Sequence, residues 1–143
     1  MRTIKLILIG LFAVLISSAY ATGAEYQKSV KTKKLLDTEM TNIGQKIHYP
    51  NGEPAQIQSF LVQLAAGAET GAHKHPIITY GYMIAGTLKI SYEGGRTKTY
   101  KKGDAFIEAV NTIHNGKNIG KKPAKILVVF ISQKNKKTVL RVK

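Results

Sequence analysis

The chain has 143 residues, room for one ordinary domain, and 43% of them are hydrophobic, enough to build a core. Twenty-two Lys and Arg stand against eight Asp and Glu, a formal charge of +14 that suits an anionic partner without naming one. Cysteine is absent, which excludes a disulfide scaffold, a thiolate metal site and a cysteine nucleophile, and the length excludes a two-domain dinucleotide-dependent enzyme.

Arg2 and Lys5 open the chain with positive charge, residues 6–16 are apolar or glycine, and small and polar residues follow to Ala19-Tyr20-Ala21. This is the three-part layout of a secretory signal peptide over residues 1–21, with an A-x-A-like cleavage site. The alternative is a membrane anchor. Eleven apolar residues, rising about 1.5 Å each, span only about 17 Å, roughly half of a bilayer core. Cleavage after Ala21 would leave 122 residues, with no stable membrane anchor, in the periplasm or another extracytoplasmic space. Residues 22–45 read as a lysine-rich arm or edge strand, though a weak helix fits as well. Residues 46–143 form the expected folded domain.

Short strand signals fill that domain. Pro50-Asn51-Gly52 marks a turn. Residues 57–66 carry Phe60, Val62 and Leu64 at period two, and residues 77–85 are aromatic and β-branched. Leu88, Ile90 and Tyr92 alternate with polar residues, and Glu93-Gly94-Gly95-Arg96 closes a hairpin into residues 97–100. Lys102-Gly103-Asp104 turns into residues 105–110. Residues 126–131 are continuously apolar, as in a strand covered on both faces, and residues 138–142 suit a last edge strand. Turn signals every eight to twelve residues predict an all-β sandwich or barrel.

Histidine carries the chemistry. His73 and His75 are two apart, which on a strand puts both imidazoles on one face and Lys74 on the other. His114 follows a turn and a strand and is placed to reach across from a neighbour. Three neutral imidazoles suit a transition metal better than magnesium or calcium. An exposed His-x-His pair by itself is commonly no more than surface. His48, beside Tyr49-Pro50, reads as structural or surface.

The surrounding spacing resembles the two motifs of the cupin family. Gly67, His73, His75 and Gly86 fall on the first (Gly, five residues, His-x-His, three or four residues, Glu, six residues, Gly). Gly103, His114 and Asn118 fall on the second (Gly, five residues, Pro-x-Gly, two residues, His, three residues, Asn). The 16 residues between them contain a hairpin. The resemblance is to small single-domain cupins of the conserved-barrel type. It implies a jelly-roll, double-stranded β-helix barrel holding a divalent transition metal (iron, zinc, copper, nickel or manganese) on His73, His75 and His114. A homodimer is a common state of such proteins.

Thr79 stands at the motif's Glu, and Ala109 and Asn111 stand at its Pro and Gly. Asn tolerates the positive φ of a turn. Losing the Glu leaves the ion its full charge and favours an anionic extra ligand. Glu108 is the candidate compensation, as fourth ligand, partner of a histidine or general base, against the alternative of a rim carboxylate paired with a lysine. One of Tyr80 and Tyr82, flanking Gly81, is expected to face inward and to bind substrate or act as an acid, although tyrosines at this period also serve ordinary packing. Asn118 is expected to satisfy backbone groups. The lysine clusters fall at turns and chain ends without the interleaved aromatics of a nucleic-acid site, so no nucleic-acid partner is expected. The expectation is an exported metal-dependent enzyme of oxygenase, lyase or isomerase type on a small, oxygen-rich or anionic substrate. The alternative is a non-catalytic envelope module that captures a small molecule or metal.

Overall fold

Alternation of apolar and polar residues, interrupted by Gly-containing turns, builds strands and no helix among the described residues. The computed structural model describes residues 33–49 and 54–142. The signal-peptide segment 1–21, the start of the arm and the Pro50-Asn51-Gly52 turn lie outside them.

Among the described residues nine strands follow in order: β1 (Ala55–Leu64), β2 (His73–Lys74), β3 (Ile78–Ala85), β4 (Thr87–Tyr92), β5 (Thr97–Lys101), β6 (Ala105–Ile107), β7 (His114–Asn118), β8 (Ala124–Gln133) and β9 (Leu140–Arg141). They form two antiparallel sheets, ordered β1-β8-β3-β6 and β5-β4-β7-β2-β9. The non-sequential order is that of a jelly roll, in which paired sheets enclose one core. That core is formed by Met83, Leu88, Ile90, Tyr92, Phe106 and Ile126 with smaller neighbours.

Two close approaches fix how the sheets meet. Gly86 joins β3 to β4 at φ 82°, and a Cβ there would stand 2.6 Å from the Ala124 Cα, so only glycine fits without displacement. Asn118 donates from Nδ2 to the carbonyls of Leu64 (3.0 Å), Ala65 (3.0 Å) and Lys122 (2.9 Å) and accepts from Gly120 N at 2.9 Å. It thereby ties β7 to the chain after β1 and before β8.

Strand β8 lies between β1 and β3. Its inward residues Ile126 and Phe130 are buried, whereas Leu127, Val129 and Ile131 on the other face are only half-buried, so the run is not covered equally on both sides. Residues 33–47 form neither a helix nor a long strand. Met40 and Lys46 make one bridge, Asn42 N donates to Ile107 O at 2.7 Å, and Gln45 brackets Val110 through both its amide atoms. This segment thus covers the end of β6.

Candidate metal centre

Register assembles the histidines. His73 on β2 is paired directly with His114 on β7, and directly opposed residues share a face of the sheet. His75 is two residues beyond His73, and its bridge to Val110 carries it to the same side. The three rings meet with centroids 4.5–5.2 Å apart, and one ring nitrogen from each lies within 4.8 Å of the others. All three are buried.

The hydrogen bonds behind the rings determine what the rings present. Nδ1 of His73 lies 2.8 Å from Gly71 O, Nδ1 of His75 lies 2.7 Å from Thr138 O, and Nδ1 of His114 lies 2.9 Å from Thr112 O. A carbonyl only accepts, so each Nδ1 carries the proton. In the neutral rings each Nε2 is then a lone pair, and the arrangement is that of metal-binding imidazoles oriented by backbone partners. His114 Nε2 is a buried nitrogen without a hydrogen-bond partner. Such an orphan needs a cation or a proton.

Glu108 supplies the negative charge. Its backbone N donates to Thr79 O at 2.9 Å, which sets it beside the strand position where the cupin motif has its Glu. Its Oε2 lies 3.0 Å from His75 Nε2 and 3.6 Å from His114 Nε2, with the side chain 14% exposed. Two acceptors at 3.0 Å are stable only with a proton or a metal ion shared between them. Burial works against the charged carboxyl, yet the imidazoles of His114 and His75 outweigh it and hold the pKa at about 2, below the ordinary 4.5. Burial likewise works against a charged His114, and Glu108 reverses this and raises it above 6.5. His73 is pushed below 6.5, first by burial and then by repulsion from the other two histidines.

The donor set fits a divalent transition ion. It combines three imidazoles with fixed tautomers, one of which has an orphaned nitrogen, and a carboxylate beside two of the rings. Thr79 is buried, with its Oγ1 3.5 Å from Ile77 O, and it lines the same cavity without contributing a charged ligand.

That cavity measures about 190 Å³. Val62, Leu88, Phe106, Ile126, Val128 and Phe130 make its walls. It is smaller than the ~300–1,000 Å³ pockets that take drug-sized ligands, so it suits a small molecule. Gly81 lines it because a Cβ there would overlap the Phe106 ring, which stacks on Tyr100 at 4.0 Å.

Tyr80 and Tyr82 are not brought to the site, contrary to the expectation that one faces inward. Two residues apart on β3, they share one face, and the opposite face holds Thr79, Gly81 and Met83, all buried. His73 and His75 are also not on the tyrosine strand, because a bend at Pro76-Ile77 separates β2 from β3. His48 is exposed, as expected. Asn111 adopts φ 55°, the positive value that the motif's Gly position calls for. Thr138 and Arg141 carry no motif signal, yet the first orients His75 and the second lines the cavity.

A two-sheet jelly roll with a histidine trio inside its mouth defines a class of small metal-binding barrels. The cupin domain profile matches residues 60–130, and the chain belongs to the cupin family. No curated protein matches the sequence. Among solved structures, an oxalate decarboxylase from Lactobacillus farciminis superposes with a TM-score of 0.54 at 23% identity, over 60% of this chain and 26% of that one. A variant of the Bacillus subtilis oxalate decarboxylase gives 0.53 at 27% identity over 60% and 24%. A DMSP lyase from Ruegeria pomeroyi gives 0.52 at 19% identity over 60% and 43%. The chain therefore spans about a quarter to under half of the length of these neighbours.

Proposed function

We propose that this cupin is an exported, metal-dependent enzyme acting on a small oxygen-rich or anionic molecule. The observation that carries the reading is the set of three backbone carbonyls holding His73, His75 and His114 with Nε2 turned to one point. A divalent ion held there supplies Lewis acidity or, with iron or copper, oxygen chemistry. The chain does the rest. The three rings fix the ligand plane, and the apolar walls exclude bulk water. Glu108, alone among the cavity-lining residues in bearing a carboxylate, holds or removes a substrate proton at Oε2. Solved neighbours named as a decarboxylase and a lyase support chemistry on small acids. The amino-terminal pattern of residues 1–21 supports export, and mass spectrometry of exported protein should find a start at Thr22.

Elemental analysis of the purified protein tests the reading. One divalent transition ion per chain is expected in the wild type, and its loss is expected in His114→Ala. Turnover on a panel of small acids, diketones and sugars then separates the enzyme from a non-catalytic binding module. That second reading is favoured by Thr79, which leaves Glu108 without a second acidic partner in the cavity.

A further inference from the structure

One cation of the cavity wall has no part in the metal centre. Arg141 on β9 is paired directly with His73, so both side chains lie on the same face of the sheet. Arg141 is exposed and is among the residues lining the cavity, with Thr70 and Val139. Its Nη1 donates to Thr70 O at 2.8 Å, which holds the fork at the opening and uses one of its five N–H donors. No carboxylate pairs with it among the described residues. Asp37 is taken by Lys34, Glu69 by Lys117, and Glu108 by His75 and His114. An arginine at the mouth of an apolar cavity, tethered and without a counter-ion, presents donors suited to a planar anion.

We propose that Arg141 anchors substrate by binding a carboxylate at the cavity mouth, and that the ligand class is a short dicarboxylate whose other end reaches the histidines. The class rests on the metal-dependent reading above. A divalent ion, the Glu108 carboxylate and Arg141 together leave two positive charges, which a dianion neutralises. The cavity of about 190 Å³ limits the length. The anchoring role of Arg141 itself needs only the fork and the cavity. The C-terminal strand is then part of the site, because the same segment supplies Thr138 O to His75.

Calorimetric titration of the zinc-loaded full chain with malonate and succinate, and with their neutral diamides, tests this. Wild type, Arg141→Met and Arg141→Lys are compared, with metal content and thermal stability measured for each. The dicarboxylates should bind the wild type on the order of tenfold or more above the diamides, and Arg141→Met should lose that margin. Arg141→Lys should recover only part of it, since an ammonium lacks the fork. Metal content should stay the same in all three. Absence of dicarboxylate binding to the wild type, or equal affinity in wild type and Arg141→Met, overturns the proposal. Should Arg141→Met unfold, Arg141→Lys decides, and full wild-type affinity in it counts against the fork. A protein that takes up no zinc contradicts the metal reading instead. The same titration of that metal-free protein must then still show the Arg141 dependence, or the anchor falls too.

Discussion

At the scale of single residues, Glu108 decides the electrostatics. Its carboxylate stands between two imidazole nitrogens, and a proton or a metal ion must share the space. Glu108→Gln keeps the shape and removes the charge, and zinc affinity measured by competition should fall on the order of 10–100-fold. The metal-free protein reports the same group through pH. A folded pKa of about 2 lies below the ordinary 4.5, so the stability Glu108 contributes is complete above pH 4.5 and is lost as pH falls toward about 2. Thermal melts of chelator-treated protein should decline across that window, and Glu108→Gln should flatten the decline. An unchanged acid limb would show that the carboxylate has no such role. The histidine trio was legible in the sequence because period two and two glycine-marked spacings constrain it. The outward placement of Tyr80 and Tyr82 is not legible in the sequence, because the phase of a strand against its core is invisible locally. Tyr packs tolerably on either face, and the buried face was settled by Thr79, Gly81 and Met83 against the opposite sheet.

At the scale of elements, turns and terminal strands position the site. Gly86→Ala puts a Cβ against Ala124 at a positive φ, and denaturant unfolding should show a loss of about 2 kcal/mol or more. Asn111 should behave differently, since it already occupies φ 55° as a residue that tolerates that region, and Asn111→Gly should stay within about 1 kcal/mol of the wild type. Strand β9 is the larger case. Removing residues 138–143 takes away the carbonyl that orients His75 and the cation at the mouth, while leaving the cores of both sheets intact. The truncated chain should retain β-sheet circular dichroism but bind zinc more weakly on the order of tenfold. Equal zinc affinity would mean that Thr138 does not set the ring. Most strands were legible from alternation and turn glycines. Strand β9 was legible as an edge and no more, because its functional value comes from register with β2, and two residues carry no periodicity from which to read a partner.

At the scale of the whole molecule, 22 Lys and Arg stand against eight Asp and Glu, and the clusters Lys101-Lys102, Lys121-Lys122 and Lys134, Lys136 and Lys137, at strand ends and turns, are all exposed. Such a surface keeps the barrel soluble and raises the encounter rate with small anions. Among the described residues, Asp37, Glu69, Glu93, Asp104 and Glu108 each make an ion pair or a hydrogen bond, and of these Glu108 alone lines the cavity. The fold follows from pairing two sheets around apolar side chains, and its glycines and Asn118 fix where the sheets join. The chemistry follows from three imidazoles that the backbone turns toward one point. X-ray absorption spectroscopy of the metal-loaded protein tests that claim most directly. It should show an inner shell with three imidazole nitrogens, at about 2.0–2.1 Å for zinc. An oxygen-only shell, or one with fewer than two imidazoles, would contradict it.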